Sequence, residues 1–267
     1  MNIRNLLAIT LLFGSIYACQ KADTKNDVLH VDFDSSTIGA YDEVNLTSDF
    51  DSITWSILKG RGMIIAEKDK GQVLRVAFPK DAVGPEEGGV QFVRPIAPAT
   101  EYYLSYDLYF EDGFDFVKGG KLPGLTSGGS KYTGGVHPGN GEGWSARYMW
   151  IGGGKAVAYL YHVDMKEKYG DAVPLSITFQ TGKWYTITQH IKLNSGDEAN
   201  AVLEVWVNGE KVGTKENFRL RKGNQGLIDT FYFSTFHGGA SPDWAPANDS
   251  FIRFDDVVVS SEPIIER

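Results

Sequence analysis

The sequence predicts an all-β protein, built as a two-sheet antiparallel β-sandwich of jelly-roll type. Three observations support this class: short runs of β-branched and aromatic residues, turn residues between them, and almost no helical periodicity. The 267 residues include 31 glycines and 13% aromatic residues, which favour turns and strands. A sandwich of this size forms one core, so we expect a single folded domain over residues 28–261. Strand number alone does not fix the order of the strands.

The N-terminus has the features of an export signal. Arg4 precedes an apolar run over residues 6–13, which is too short to span a membrane. An aliphatic residue three positions before Cys19 and an alanine directly before it resemble a bacterial lipobox. We therefore interpret residues 1–18 as a lipoprotein signal peptide, Cys19 as the lipidated residue and residues 19–27 as a tether. The alternative is an ordinary secretory signal in which Cys19 is incidental.

Charge and cysteine content narrow the function classes. The net charge of −8 argues against binding to nucleic acid or to an anionic membrane surface, although a local cationic cleft remains compatible with it. If Cys19 carries the lipid, the mature chain has no thiol for catalysis, disulfides or metal. We expect an exported monomer whose one membrane contact is the lipid. It would lie at the outer membrane if it is a lipoprotein and would otherwise be secreted.

The strand predictions follow the alternation of apolar and polar residues along the chain. Residues 35–52 are mostly polar and rich in turn-forming residues, and we expect mostly loop there. Pro95 either ends its strand or places it at a sheet edge. Asn208-Gly209 is a strong hairpin signal. The predicted strands cover residues 28–33, 53–58, 63–66, 72–78, 89–94, 101–110, 145–150, 157–162, 175–179, 184–193, 201–207, 210–214, 228–236 and 251–259.

The densest group of cationic, hydroxyl and phenol side chains lies in residues 115–161. A hairpin centred on Gly153 pairs Arg147 with Tyr159 and Ser145 with Tyr161, which places all four side chains on one face. A solvated face usually mixes Thr, Lys, Glu and Ser, and a core face is aliphatic. This group fits neither pattern and indicates a binding surface; the alternative is an ordinary strand face with half-exposed tyrosines.

No metal, nucleotide or cofactor signature is present. The five histidines lack ligand spacing, the glycine clusters match no phosphate-binding motif, and GxSxG does not occur. Asp249, Asp255 and Asp256 could help to hold a structural calcium ion, but we favour a surface turn or bulge. We therefore expect no cofactor and no catalytic metal.

The group around Arg147 is suited to β-elimination on a uronic acid. A guanidinium that binds the carboxylate acidifies the proton on the adjacent C5 carbon. A lysine or tyrosine of lowered pKa removes that proton, and a tyrosine protonates the departing O4. Hydrolysis would need two opposed carboxylates, and Asp115, Glu142 and Asp164 do not lie on this face.

Eight segments carry a family resemblance: LRVAFPKDAVGPEEGGVQF, GGKLPGL, SARYMW, AYLYH, GKWYTITQHIKLN, VWVNG, FSTFHGG and FDDVVV. With them the chain resembles the alginate lyases of polysaccharide lyase family 14 and the related glucuronan lyases of family 20, over about residues 74–259. GGKLPG and the Ser-x-Arg and Tyr-x-Tyr pairs are its specific parts. The resemblance implies a jelly roll with a cleft on its concave sheet, no metal requirement, and cleavage of a polyuronate.

The resemblance also implies roles for individual residues. Lys121, inside GGKLPG, matches the catalytic lysine, and the other matched cleft residues are Ser145, Arg147, Tyr159 and Tyr161. Further candidates for substrate binding are Lys118, His137 and His237. For His137 a turn role is the alternative, and we expect His162 in the core. Trp144, Trp150 and Trp206 either stack on sugar rings or pack in the core.

The resulting hypothesis is a surface-anchored lyase for a 1,4-linked polyuronate, with alginate preferred to glucuronan. In it Arg147 neutralises the carboxylate, Lys121 is the base, and Tyr159 or Tyr161 donates the proton. The reverse assignment, with tyrosine as base, fits the sequence equally well. The competing function is a carbohydrate-binding lipoprotein without catalytic activity, because fold alone does not establish function.

Overall fold

Two antiparallel sheets make up the protein over residues 27–264, the part of the chain that the computed structural model describes. The predicted signal peptide and Cys19 lie outside these residues. No helix among the described residues is both long enough and apolar enough to cross a membrane.

The nine-stranded sheet collects strands from the whole length of the chain. Its order is β14-β13-β12-β7-β16-β5-β4-β2, and β1 pairs with the second half of β16. The strands are β1 (Asp27–Val31), β2 (Gly39–Tyr41), β4 (Gly62–Glu67), β5 (Gly71–Phe78), β7 (Glu101–Phe110), β12 (Trp184–Lys192), β13 (Ala201–Val207), β14 (Glu210–Phe218) and β16 (Ser250–Ser260).

The seven-stranded sheet contains the hairpin predicted around Gly153. Its order is β11-β10-β9-β8-β15-β6-β3. The strands are β3 (Trp55–Ile57), β6 (Val90–Ala99), β8 (Gly119–Ser127), β9 (Trp144–Ile151), β10 (Lys155–Tyr161), β11 (Asp171–Thr178) and β15 (Ile228–His237). Every pairing in both sheets is antiparallel. The predicted two-sheet sandwich of jelly-roll type is confirmed.

The core lies between the sheets because alternate residues of each strand point inward. Leu104, Leu108 and Phe254 come from one sheet, Trp150 and Phe233 from the other, and all are fully buried. Phenylalanines concentrate at one end, where the ring centroids of Phe110 and Trp150 lie 5.8 Å apart in an edge-on arrangement. Truncating such a ring to alanine costs about 3–5 kcal/mol. The sandwich thus gives a rigid support to whatever its outer faces carry.

One helix, α1 (Glu43–Phe50), was not predicted, since residues 35–52 were expected to be loop. Asp42 caps its N-terminus: Oδ1 accepts from the backbone N–H of Val44 at 2.9 Å and of Asn45 at 3.0 Å. The Asn45 side chain accepts in return from the N–H of Asp42, which completes a capping box. Only Leu46 and Phe50 of the helix are buried, so its apolar signal is weak.

Two local predictions are resolved by the pairing of the strands. β6 continues through Pro95, but β3 pairs only with residues 91–93, so the proline lies where that side of β6 is an edge. The Asn208-Gly209 hairpin joins β13 to β14, with φ of 52° at Asn208 and 78° at Gly209. Both positive angles are those of a type I′ turn.

Candidate active site

A cleft of about 810 Å³ lies on the outer face of the seven-stranded sheet. Strands β3, β6, β8, β9, β10, β11 and β15 form its floor, and four connecting loops form its walls. Aliphatic side chains line part of it, and the rest of the lining is aromatic or polar. The aromatic and polar side chains include Trp55, Glu86, Gln91, Lys121, Arg147, Tyr159, Tyr161, Tyr169, Tyr232 and Trp244.

The hairpin between β9 and β10 has the predicted register. Tyr159 lies opposite Arg147 and Tyr161 lies opposite Ser145. A short 3₁₀ turn, Gly152–Gly154, closes the hairpin, with φ of 72° at Gly153. Because directly opposed residues share a face, the guanidinium and the Tyr159 phenol reach the same cleft.

Glycines of the GGKLPG segment let β8 approach its neighbours closely. A Cβ on Gly120 would lie 2.1 Å from the Trp150 ring, and one on Gly124 would lie 2.1 Å from the carbonyl oxygen of Ala146. Side chains at these two positions would push β8 off β9. The glycines therefore place Lys121 at the centre of the cleft floor.

Lys121 is half-buried and has no charged partner. Its Nζ lies 4.7 Å from the ring centroid of Tyr159 and 5.8 Å from that of Phe236. It forms no hydrogen bond or ion pair with any residue between 27 and 264. Burial, and secondly the positive charge of Arg147, lower the pKa of Lys121 to about 7. An amine in this state is largely neutral in mildly alkaline solution and can accept a proton.

Arg147 is 2% exposed, yet it also lacks a carboxylate partner among the described residues. Its Nη1 donates to Ser234 Oγ at 3.0 Å, its Nε has no partner, and its guanidinium carbon lies 5.3 Å from the Tyr232 ring centroid. Burial lowers the pKa of Arg147, but a guanidinium stays charged in proteins. A buried, unpaired guanidinium is ready to bind an anion.

The two tyrosines are fixed by loops. The Tyr161 hydroxyl accepts from the N–H of Gly135 at 3.0 Å, and the Tyr159 hydroxyl accepts from the N–H of Gly170 at 3.1 Å. Their rings meet edge-on with centroids 5.6 Å apart. Burial, and secondly the neighbouring Tyr161, raise the pKa of Tyr159. Tyr159 therefore keeps its proton at neutral pH and can donate it.

Ser145 and His137 lie outside the cleft lining and hold the loops instead. Ser145 is buried, and its Oγ donates to the carbonyl oxygen of Tyr132 at 2.8 Å. His137 is exposed, and its Nε2 lies 2.6 Å from the carbonyl oxygen of Met165. Both contacts fasten the loop between β8 and β9 that carries Gly135. Both side chains therefore support the cleft wall, and their predicted substrate contacts stay predictions.

His237 does not reach the cleft edge, contrary to the prediction. Its side chain is buried on the core face, with its ring stacked on Phe114 at 5.5 Å between centroids. Its Nε2 lies 2.7 Å from the carbonyl oxygen of Asp115, and burial lowers its pKa. His162 is buried as predicted, with Nε2 2.8 Å from Asp171.

Lys118 lies at the cleft margin, where its side chain is 52% exposed and forms an ion pair with Asp243. Its ammonium lies 5.9 Å from the ring centroid of Trp244, which does line the cleft. Lys118 therefore orients the loop around Trp244, and it is not among the lining residues.

The tryptophans that line the cleft are Trp55 and Trp244, and not the three for which sugar stacking is an alternative to core packing. Trp144 and Trp150 are fully buried in the core, and Trp206 lies on the other sheet. Trp55 and Trp244 line the cleft, and Trp55 is 39% exposed with its ring 6.4 Å from that of Tyr232. The alternation in FYFSTF could have revealed Tyr232 and Ser234 as one face. No local pattern distinguishes Trp55.

Acidic side chains cluster on the nine-stranded sheet rather than in the cleft. Asp107, Asp255 and Asp256 offer carboxylate oxygens within 4.8 Å of one another, but the Lys70 ammonium pairs with Asp107 and lies 3.7 Å from Asp255. The Lys70 ammonium thus already supplies a positive charge to these carboxylates. Asp249, predicted alongside, instead accepts from the N–H of Lys80 at 2.8 Å.

One carboxylate, Glu86, occurs among the described residues that line the cleft. It pairs with Lys59, at 2.6 Å between Nζ and Oε2. Glycoside hydrolysis requires two opposed carboxyl groups. The cleft does not supply that pair, whereas it does supply a base, an anion-binding guanidinium and a proton donor.

A sequence model described as polysaccharide lyase 14 matches residues 66–257, well over half of the chain. The chain belongs to polysaccharide lyase family 14. It is therefore a polysaccharide lyase, as the resemblance implied. No match was found among curated proteins.

Solved structures of two alginate lyases and of a glucuronan lyase share its fold. The alginate lyase Aly36B is 29% identical, with a TM-score of 0.76 over 90% of this chain and 98% of that one. The PL-14 alginate lyase of Aplysia kurodai is 23% identical, with a TM-score of 0.75 over 88% and 99%. An endo-β-1,4-glucuronan lyase of Trichoderma reesei is 11% identical, with a TM-score of 0.53 over 85% and 95%. At these lower identities the last two show the fold alone.

Proposed function

We propose that this family 14 lyase cleaves alginate, with polymannuronate as the preferred block, by β-elimination without a metal ion. The observation that carries the proposal is the pair of cations in the cleft, Lys121 and Arg147, which have no carboxylate partner in the described chain. A polyuronate brings one carboxylate for each sugar. Its binding would supply the missing counter-charge.

Arg147 is the group that binds the uronate carboxylate next to the reacting carbon. Its fork of donors matches the two carboxylate oxygens, and its burial strengthens the electrostatic attraction. Neutralising the carboxylate stabilises the negative charge that develops when the C5 proton leaves. This step prepares the sugar for proton abstraction.

Lys121 is the base and Tyr159 is the proton donor. The neutral Lys121 amine takes the C5 proton, the C4–C5 double bond forms as the C4–O4 bond breaks, and the Tyr159 hydroxyl protonates O4. The lowered pKa of the Lys121 amine and the raised pKa of the Tyr159 phenol support this order over its reverse. The two groups are adjacent, so proton abstraction and donation occur on one side of the sugar.

Alginate is preferred to glucuronan on the strength of the similar structures. Variants of Aly36B have been solved in complex with an alginate tetrasaccharide and an alginate trisaccharide, at 29% identity to this chain. The glucuronan lyase is at 11% identity. The larger likeness favours alginate.

The test is the ultraviolet absorbance of the unsaturated uronate product. The mature protein is mixed separately with polymannuronate, polyguluronate and glucuronan, in buffer with and without a chelator. We expect absorbance to rise most on polymannuronate, unchanged by the chelator, and to be lost in Lys121→Ala. A flat trace on all three polymers contradicts the proposal, and a rise on glucuronan alone corrects the substrate.

We also propose that the enzyme is exported and anchored to the outer membrane through lipid on Cys19. The lipobox-like sequence before Cys19 supports this proposal. Cells that express the full chain are labelled with a radioactive fatty acid. Label in the wild-type protein and none in Cys19→Ala is the expected outcome, and label in neither contradicts the anchor.

A further inference from the structure

Gln91 lies in the cleft but has no part in the proposed steps of Lys121, Arg147 and Tyr159. It lies on β6, is 2% exposed and lines the cleft. Its Oε1 accepts from the Tyr232 hydroxyl at 2.5 Å and from Ser234 Oγ at 3.1 Å. Gln91 and Ser234 are directly opposed across β6 and β15, so they share the cleft face.

Arg147 fixes the direction of this hydrogen-bond chain. A guanidinium can only donate, so Ser234 Oγ must accept from Arg147 Nη1. The single hydroxyl proton of Ser234 is then left to donate to Gln91. That proton needs an oxygen as its acceptor, which selects the amide orientation with Oε1 toward Ser234 and Tyr232.

The Gln91 amide nitrogen is consequently turned away from both hydroxyls. Nε2 makes no hydrogen bond to any residue in the described part of the chain, and it is not among the fully enclosed unpartnered atoms. Since Gln91 lines the cleft, its two N–H donors are left for a ligand there. They lie next to the serine that contacts Arg147.

We propose that Gln91 binds the same uronate carboxylate as Arg147, through Nε2, and that its carbonyl oxygen holds Arg147 in place through Ser234. This inference rests on the proposed function for the substrate class. A neutral amide is the group suited to this position, because it donates to an anion without neutralising the guanidinium. Gln91 is thus a substrate-binding and positioning residue.

Gln91→Glu is the decisive variant. Glutamate has the same shape and still accepts from Ser234 and Tyr232, but it loses both donors and adds a negative charge beside the carboxylate site. The readout is the Kd for a saturated mannuronate tetrasaccharide, measured in the inactive Lys121→Ala protein so that no turnover occurs. We expect Gln91→Glu to weaken binding by about 10- to 100-fold at pH 8, from the loss of a charge-assisted hydrogen bond and the added repulsion.

The charge of the ligand separates this role from a purely structural one. A methyl-esterified mannuronate tetrasaccharide carries no carboxylate for the introduced glutamate to repel, so the ratio of variant to parent Kd should shrink toward one with this ligand. An unchanged Kd for the free acid at pH 8, or the same ratio for both ligands, overturns the inference. Gln180→Glu, an exposed glutamine outside the cleft lining, is the matched control and should leave the Kd unchanged.

A neutral variant covers the case in which the glutamate disturbs folding. Gln91→Met keeps the length and removes donor and acceptor. We expect about a 10-fold weaker Kd in a protein that still unfolds cooperatively, with a Tm a few degrees below that of the parent because the buried Tyr232 and Ser234 hydroxyls lose their acceptor. Full affinity in Gln91→Met overturns the inference. Absence of lyase activity in the wild-type protein on all three polymers would instead overturn the proposed function. The two failures are distinguishable because the Gln91 test measures binding without catalysis.

Discussion

The outer faces of the two sheets treat their charges in opposite ways. On the nine-stranded sheet, Glu111 accepts from Arg75 at 2.7 and 2.8 Å and from Arg253 at 2.7 Å, and Arg253 also pairs with Glu67. On the seven-stranded sheet, Lys121 and Arg147 have no such partner among residues 27–264. The arginines of the first face are paired within the protein, whereas the cations of the second face need an anion from outside to pair them.

This difference indicates that the paired charges stabilise the fold and that the unpaired ones are suited to function. A buried or half-buried cation without a counter-ion costs free energy, and the protein could have paired Arg147 and Lys121 as it pairs Arg75 and Arg253 on the opposite sheet. Leaving Lys121 uncompensated lowers its pKa, which suits it to the role of base that we propose, and leaving Arg147 uncompensated suits it to the proposed binding of a carboxylate. In this proposal the cleft is the part of the fold where stability is reduced for binding and catalysis.

The largest expected effect is that of Lys121→Ala. Removal of the base should lower kcat by about 10²–10⁴-fold, since general-base catalysis contributes that much. The circular dichroism spectrum and Tm should stay close to those of wild type, because no described residue depends on the ammonium for a hydrogen bond. Activity within tenfold of wild type would remove Lys121 from the mechanism.

Next in size is Arg147→Lys. A lysine keeps the charge but loses the planar fork, so kcat/KM should fall about 10–100-fold through lost charge-assisted hydrogen bonds. The matched control is Arg75→Lys on the other sheet, which should leave kcat/KM unchanged. An equal loss of kcat/KM in Arg75→Lys would contradict a role in the cleft that Arg147 has and Arg75 lacks.

Glu111→Gln should lower stability and leave catalysis unchanged, whereas Lys121→Ala and Arg147→Lys should lower catalysis. Although burial alone would raise it, the hydrogen bonds from Arg75 and Arg253 lower the pKa of Glu111. Its stabilisation is therefore present above the ordinary glutamate pKa and is lost as pH falls through the lowered one. We expect the variant to lose about 1–3 kcal/mol of unfolding free energy at pH 7, with less loss in acid and unchanged kcat/KM. Urea denaturation at pH 7 and pH 3 measures this, and a pH-independent loss would contradict it.

The smallest effect is a gain in stability from Lys121→Met. The folded pKa of about 7 lies below the ordinary 10.5, so protonated Lys121 destabilises the fold, fully below pH 7 and not above about 10.5. Discounted for partial exposure, the gain should be about 1–2 kcal/mol at pH 7. Equal urea midpoints for variant and wild type at pH 7 would show that the cleft carries no such cost.

The fold and the candidate site could be predicted from the sequence wherever they depend on local periodicity. The pairing of Arg147 with Tyr159 follows from period two and a glycine turn, and both residues lie in the cleft. The prediction for His237 is wrong because residues 234 and 237 are an odd number apart along β15, so their side chains point to opposite faces and His237 faces the core. Gln91 and Trp55 come from strands that meet the site only through long-range pairing, which no local pattern reveals. The helix at Glu43–Phe50 escaped notice because its capping box involves asparagine in place of the usual glutamate or glutamine.

The most direct test of the account is the pKa of the Lys121 amine. The protein is labelled with ¹³C at lysine Cε, and the Lys121 signal is assigned by its absence in Lys121→Ala. Its chemical shift is then followed from pH 5 to pH 11, together with kcat/KM on polymannuronate. The account predicts a titration midpoint near 7 and a kcat/KM that rises through the same pH as the amine becomes neutral. A midpoint near the ordinary lysine value of 10.5 would contradict it.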